Sequence, residues 1–202
     1  MDREERIRNA IQPFVPSGTE VPLAEKIVKA RCHLTITRDR KTKAGDYRHP
    51  FGNQGHRISV NGTLNQYAFL ITLVHEMAHL TNWELHGRKV NPHGNEWKMA
   101  FQEEMLPFLR EDVFPTDILK QLRTHMKNPK SATVRDLDLM RILKSYDEPS
   151  GKVLLEDIPE NMEFQLGNKR FTKGVKLRKR FRCQLVGTGR IYLVSAIAEV
   201  EL

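Results

Sequence analysis

Apolar positions change their spacing several times along this chain, and each change predicts an element. Arg3 to Gln12 reads as a short helix stopped by Pro13 and Pro16, and Pro22 to Arg31 as a second, with Pro22 suited to a first turn. His33 to Arg38 alternates and carries β-branched residues, which predicts a strand; a Gly- and charge-rich stretch follows. His56 to Asn61 predicts a second strand, closed by a turn at Asn61-Gly62. From Asn65 to about Leu85, Tyr67, Leu70, Ile71, Val74 and Ala78 recur at three- and four-residue steps, an apolar stripe on a long helix. Gly87 and Pro92 break it. Gly94 to Leu109 is the next helix, with Trp97, Phe101 and Met105 on one face, followed by helical stretches over Pro115 to Met126 and Val134 to Tyr146. Asp147 to Gly151 has linker composition, and beyond Glu160 the texture shifts to short alternating runs between Gly-containing turns. The pattern predicts an α+β chain: a main domain over 1–126 with a small strand pair and one dominant helix, a helical connector over 127–160, and a small β module over 161–202.

Composition narrows the class. With 202 residues, 39% of them apolar, and 12 Gly and 10 Pro, the chain is neither disordered as a whole nor of low complexity. No run of 18 apolar residues predicts a membrane span, and the charged start, Met-Asp-Arg-Glu-Glu-Arg, has no apolar segment of the signal-peptide kind. Cys32 and Cys183 are too few for a secreted disulfide scaffold or a four-cysteine zinc site, so two reduced thiols in a cytoplasmic chain with no membrane partner are expected.

The long helix carries His75-Glu76-Met77-Ala78-His79, the H-E-x-x-H pattern. Two histidines four apart project from the same side of a helix, so both imidazoles reach one ion, and the Glu beside the first can take a proton from the attacking water. Neutral imidazoles suit a tetrahedral zinc site with one open position. A metzincin would need Gly three and His six residues after His79; Asn82 and Leu85 stand there. For a third ligand the residues leave several donors open. His93 follows a break and opens an independent helix, Glu103 or Glu104 would serve a gluzincin-like site, and His86 lies near the end of the same helix.

His75-Glu76-Met77-Ala78-His79-Leu80 followed by His93-Gly94-Asn95-Glu96-Trp97, behind a helix and two strands, resembles the SprT-like metalloproteases, a family that includes DNA–protein crosslink proteases. The resemblance covers roughly Pro22 to Leu109. It implies a zincin-like metalloprotease domain in which His75, His79 and His93 hold one catalytic zinc and Glu76 is the acid/base. It also implies a protein substrate on or near DNA, and with it nucleoid association. Many members carry a four-cysteine C-terminal zinc ribbon. Here only Cys183, in Phe181-Arg182-Cys183-Gln184, stands in that region, and no second zinc is expected.

Charge adds a second candidate site. The formal net charge is +8, and nine Lys/Arg with no acid lie between Leu166 and Arg190, leaving the rest of the chain at −1. Read as one strand, Val175 to Leu185 turns Val175, Leu177, Phe181, Cys183 and Leu185 one way and Lys176, Arg178, Arg180 and Arg182 the other. That row would track the phosphates of DNA or another polyanion, with Phe171 or Tyr192 able to stack on bases if exposed. Arg38, Arg40, Lys41 and Lys43 form a smaller cluster in a hairpin expected before the motif helix. A competing function is a nucleic-acid-associated, transcription-related factor whose zinc is structural; a weaker one is a metallohydrolase of a non-peptide substrate.

Overall fold

The computed structural model describes residues 1–38, 40, 43–131 and 136–202. The chain divides into two compact units, Met1–Asp147 and Glu148–Leu202, where the sequence placed a connector across 127–160.

In the first unit, helix α1 (Arg3–Ile11) and helix α2 (Glu20–Lys29) lead into strand β1 (His33–Thr37). Strand β2 (Gly45–Arg48) and strand β3 (Arg57–Asn61) follow. The sheet order is β1-β3-β2, with β1 parallel and β2 antiparallel to β3. The expected strand pair is therefore three strands, and the two recognised from sequence do not form a hairpin. The hairpin partner of β3 is β2, whose Gly-Asp-Tyr-Arg sequence lacks the alternation that marks a strand. Of the small basic cluster, Lys41 falls outside the described residues.

Helix α3 (Gln66–His86) begins at an Asn65 cap whose side chain accepts from the Tyr67 and Ala68 amides at 3.1 and 3.0 Å. It ends where Gly87 adopts φ +60°, a conformation costly for a residue with a Cβ. Phe69, Leu73 and Met77 are buried in addition to the expected stripe, so apolar packing covers most of the circumference and α3 is the central helix rather than a surface one. It packs on β2, β3 and helix α4 (Asn95–Met105). Helix α5 (Thr116–Met126) and helix α6 (Leu137–Lys144) pack together and complete the same core through Ile118, Leu122, Leu139 and Leu143. Of the helix expected from Val134, residues 134 and 135 lie outside the described residues.

The second unit has a two-stranded sheet, β4 (Val153–Leu154) with β9 (Glu199–Val200), and an antiparallel four-stranded sheet. The latter runs β5 (Glu163–Leu166), β6 (Lys169–Lys176), β7 (Arg180–Leu185) and β8 (Ile191–Ser195) in order. Phe164, Phe171, Phe181, Cys183 and Val194 fill its core.

Candidate metal centre

Helix geometry places His75 and His79 one turn apart on α3. His93 arrives from the turn that caps α4, Gly94 being the N-cap residue. One ligand atom from each of the three histidines lies within 4.8 Å of the others, and among the described residues no other His, Cys, Asp or Glu group of three does so. Glu104 is turned away, paired with Lys26 and accepting from the Thr81 hydroxyl at 2.7 Å. Glu103 is exposed and, like His86, lies outside the cluster.

Trp97, fully buried in the first turns of α4, backs the cluster. Its ring centroid lies 4.7, 5.3 and 4.8 Å from those of His75, His79 and His93. This apolar backing sets the protonation of the imidazoles. Burial, together with the neighbouring histidines, holds His75 down to about 3 and His79 down to about 4, so both stay neutral at physiological pH. A set of neutral, converging imidazoles fits zinc, which takes histidine in that form.

Glu76, the residue after His75 on α3, lies against β2 and lines the same cleft as the histidines. Burial and the nearby Asp46 carboxylate push it up to about 8, against the pull of Lys43, the Tyr47 amide and Arg40. A cation bound among the histidines would favour its ionised form. Asp46 is itself held low by hydrogen bonds from Lys43 at 2.8 Å and Arg48 at 3.0 Å, which outweigh its burial. The approach of β2 is close: a Cβ on Gly45 would lie 2.6 Å from Glu76 Oε1 and 2.7 Å from Thr72 Cγ2. The Ala44 carbonyl accepts from the Asn61 amide at 2.8 Å, so ladder alternation directs the backbone groups of Gly45 and Tyr47 outward from β3. The Tyr47 amide meets Glu76, and the Tyr47 hydroxyl is occupied by His56 Nδ1 at 2.9 Å. Gly45, Asp46 and Tyr47 carry no motif of their own, and only their position on an edge strand marks them.

All of this opens on one cleft of about 810 Å³. α3 forms its floor through Ala68, Thr72, His75, Glu76, His79, Asn82 and Trp83, and β2 forms one wall. His49 stacks on Trp83 at 4.1 Å with Arg88 near the same ring.

The SprT-like family model matches residues 20–108. Over that span, a little under half of the chain, the protein is similar to the SprT-like family. No curated protein and no solved structure matches the chain. The matched span runs from α2 through the turn after α4, and so contains the three clustered histidines, Glu76 and β2. α5, α6 and the second unit lie beyond it. Among the described residues, no helix is long and apolar enough to cross a membrane.

In the second unit the row expected over Val175–Leu185 is broken. A register shift between Lys173 and Lys176 and a turn in which the Leu177 amide donates to the Arg180 carbonyl split it between two strands. Val175 and Leu177 are consequently 54% and 46% exposed rather than inward. Arg180 and Arg182 stay on the outer face of β7 and Arg178 projects from the turn, all exposed. Lys176 lies 3.8 Å from the Glu156 carboxylate. Lys173 is buried, donating to the Ile158 and Glu156 carbonyls beneath the Phe181 ring. Arg170 pairs with Glu163 at 2.6 Å. Phe171 is buried and Tyr192 packs edge-on against it, so the two aromatics serve the core. Cys183 is also buried there.

Proposed function

We propose that the chain is a zinc-dependent metalloendopeptidase with a zincin-like active site. The observation that carries this reading is the joint placement of His75, His79 and Glu76 on α3 and of His93 on the facing turn, all lining one cleft beside the outward edge of β2. His75, His79 and His93 would hold the ion. Bound there, zinc would supply Lewis acidity, polarising a carbonyl and lowering the pKa of water to about 7. Glu76 takes the proton of the attacking water on a carboxylate oxygen and returns it to the leaving amine. The Tyr47 amide fixes the orientation of that carboxylate, and the wall formed by Trp97 and Phe101 keeps water from the rear of the site. The outward backbone groups of Gly45 can pair with an extended peptide laid along β2, which favours a peptide over other carbonyl substrates.

The finer reading is that the substrate is protein carried on DNA, with Arg178, Arg180 and Arg182 making phosphate contacts. Its support is the exposed arginine face together with the similarity of residues 20–108 to the SprT-like family. Glu76→Gln is expected to keep one zinc per chain and lose at least a hundredfold in cleavage rate, and His93→Ala to lose the metal, read by metal analysis beside a proteolysis assay. Wild-type cleavage by Glu76→Gln would overturn the mechanism. Equal rescue of a deletion phenotype by both forms would favour a nucleic-acid-associated factor with a structural zinc.

A further inference from the structure

The cleft extends well past the metal cluster, and its far end is chemically distinct. Leu64 and Ala68 at the start of α3 and Met140 and Leu143 of α6 line it there, with Thr72 between them and Glu76. At about 1.5 Å of rise per residue, Thr72 and Ala68 lie roughly 6 and 12 Å along α3 from Glu76. An extended peptide covers that length in about two to four residues. The opposite end, past His79, presents His49, Trp83 and Arg88 instead.

From this arrangement we infer that Leu64, Ala68, Met140 and Leu143 form a specificity subsite for an aliphatic or aromatic substrate side chain two to four residues from the scissile bond. The inference rests on the peptidase reading above. The wall is held in place. The Asn65 side-chain amide donates to the Leu143 carbonyl at 2.9 Å and to Asp147 Oδ1 at 2.6 Å while its oxygen caps α3. Asp136, at the start of α6, is bound by His125 at 2.8 Å and Lys130 at 3.0 Å. A pocket with fixed walls discriminates by side-chain size, and one methylene there is worth roughly 10- to 200-fold. Leu64 and Ala68 lie within the matched residues 20–108, and Met140 and Leu143 lie beyond them.

The test uses the zinc-loaded full chain on denatured casein, with cut sites mapped by mass spectrometry. Wild type is expected to favour a large apolar residue at one fixed position near the cut. Ala68 and Met140 are both partly exposed at the edge of the core, so melting temperatures of the two variants are measured alongside to confirm folding. Ala68→Leu should reduce cutting at sites with Leu, Met or Phe about tenfold relative to sites with Ala or Gly. Met140→Ala should shift preference toward Phe and Trp, with zinc content unchanged in both. The same discrimination should appear without turnover, as a Kd ratio for matched Leu and Ala peptides on Glu76→Gln that Ala68→Leu removes. Cleavage with the same residue preference in all three proteins overturns the subsite alone. Absence of any cleavage by zinc-loaded wild type overturns the peptidase reading and the subsite with it.

Discussion

At the scale of single residues, the site depends on one missing side chain. Gly45 lies in an ordinary strand conformation, so its requirement is spatial: any Cβ would press on Glu76 and Thr72. Thr72 is fixed by its hydroxyl, which donates to the Ala68 carbonyl at 2.7 Å, so the Glu76 carboxylate must move. A shift of about 1 Å in a reacting group can cost 10²-fold. Gly45→Ala is therefore expected to lower kcat by about that factor with the metal retained, checked by steady-state kinetics beside metal analysis; unchanged kcat would remove Gly45 from the positioning of Glu76. The histidines carry a pH dependence of definite sign. In the metal-stripped chain, His75 and His79 titrate far below the ordinary 6.5, at about 3 and about 4. The unfolded chain thus binds protons first as pH falls. Their contribution is complete above about pH 6.5 and is lost on acidification toward pH 4 and 3, on the order of 2 kcal/mol per histidine already at pH 5. Urea midpoints of the stripped protein should fall steeply between pH 6.5 and 4. In His75→Phe the fall should be shallower, and an equal slope would show that burial does not set these protonation states.

Among the elements, α3 and α6 are joined through Asn65, which caps one and holds the C-terminal carbonyl of the other. Asn65→Ala removes both, and a cap alone is worth about 1 kcal/mol. Asn65→Asp keeps the capping acceptor but not the donor. Melting temperatures are expected to fall by about 3–8 °C for Asn65→Ala and by less for Asn65→Asp; a wild-type value for Asn65→Asp would mean that the link to α6 adds no stability. The capping half of this role was legible: Asn65 opens the helix expected from Asn65 to about Leu85, and periodicity located α3 and α5 within a residue of their limits, while α4 starts where expected but ends at Met105, four residues before Leu109. The other half was not, because a contact between residues 65 and 143 leaves no trace in local spacing. β2 escaped for a related reason. A four-residue edge strand with Gly and Asp has poor strand propensity, and its pairing with β3 and packing on α3 decide its conformation. The turn at Leu177–Lys179 has neither Gly nor Pro, so alternation read straight through it and assigned Val175 and Leu177 to the wrong face. The histidines were legible because chemistry imposes their spacing, as the i, i+4 rule does for His75 and His79.

For the whole molecule, the division into two units redistributes the charge. The acid-free span between Leu166 and Arg190 carries +9, but the unit that contains it also holds Glu148, Glu156, Asp157, Glu160, Glu163, Glu199 and Glu201. Counted by unit, Glu148–Leu202 has 10 basic and 7 acidic residues, net +3, and Met1–Asp147 has 23 and 18, net +5. The excess is therefore not confined to the β module, and several of its cations are committed to carboxylates or carbonyls within it. A face built on Arg178, Arg180, Arg182 and Arg190 would neutralise about four phosphates. Single-stranded DNA releases about 0.7 counterions per phosphate, so log K should fall with log salt at a slope near −3; engagement of all nine cations would give about −6. Arg180→Ala with Arg182→Ala should bring the slope to about −1.4 and leave zinc content unchanged, because the metal ligands belong to the other unit. Fluorescence anisotropy of the full chain with a labelled oligonucleotide, from 50 to 200 mM salt, measures both slopes. A slope unaltered by the double substitution would move the DNA contact to the first unit, whose net charge is the larger of the two.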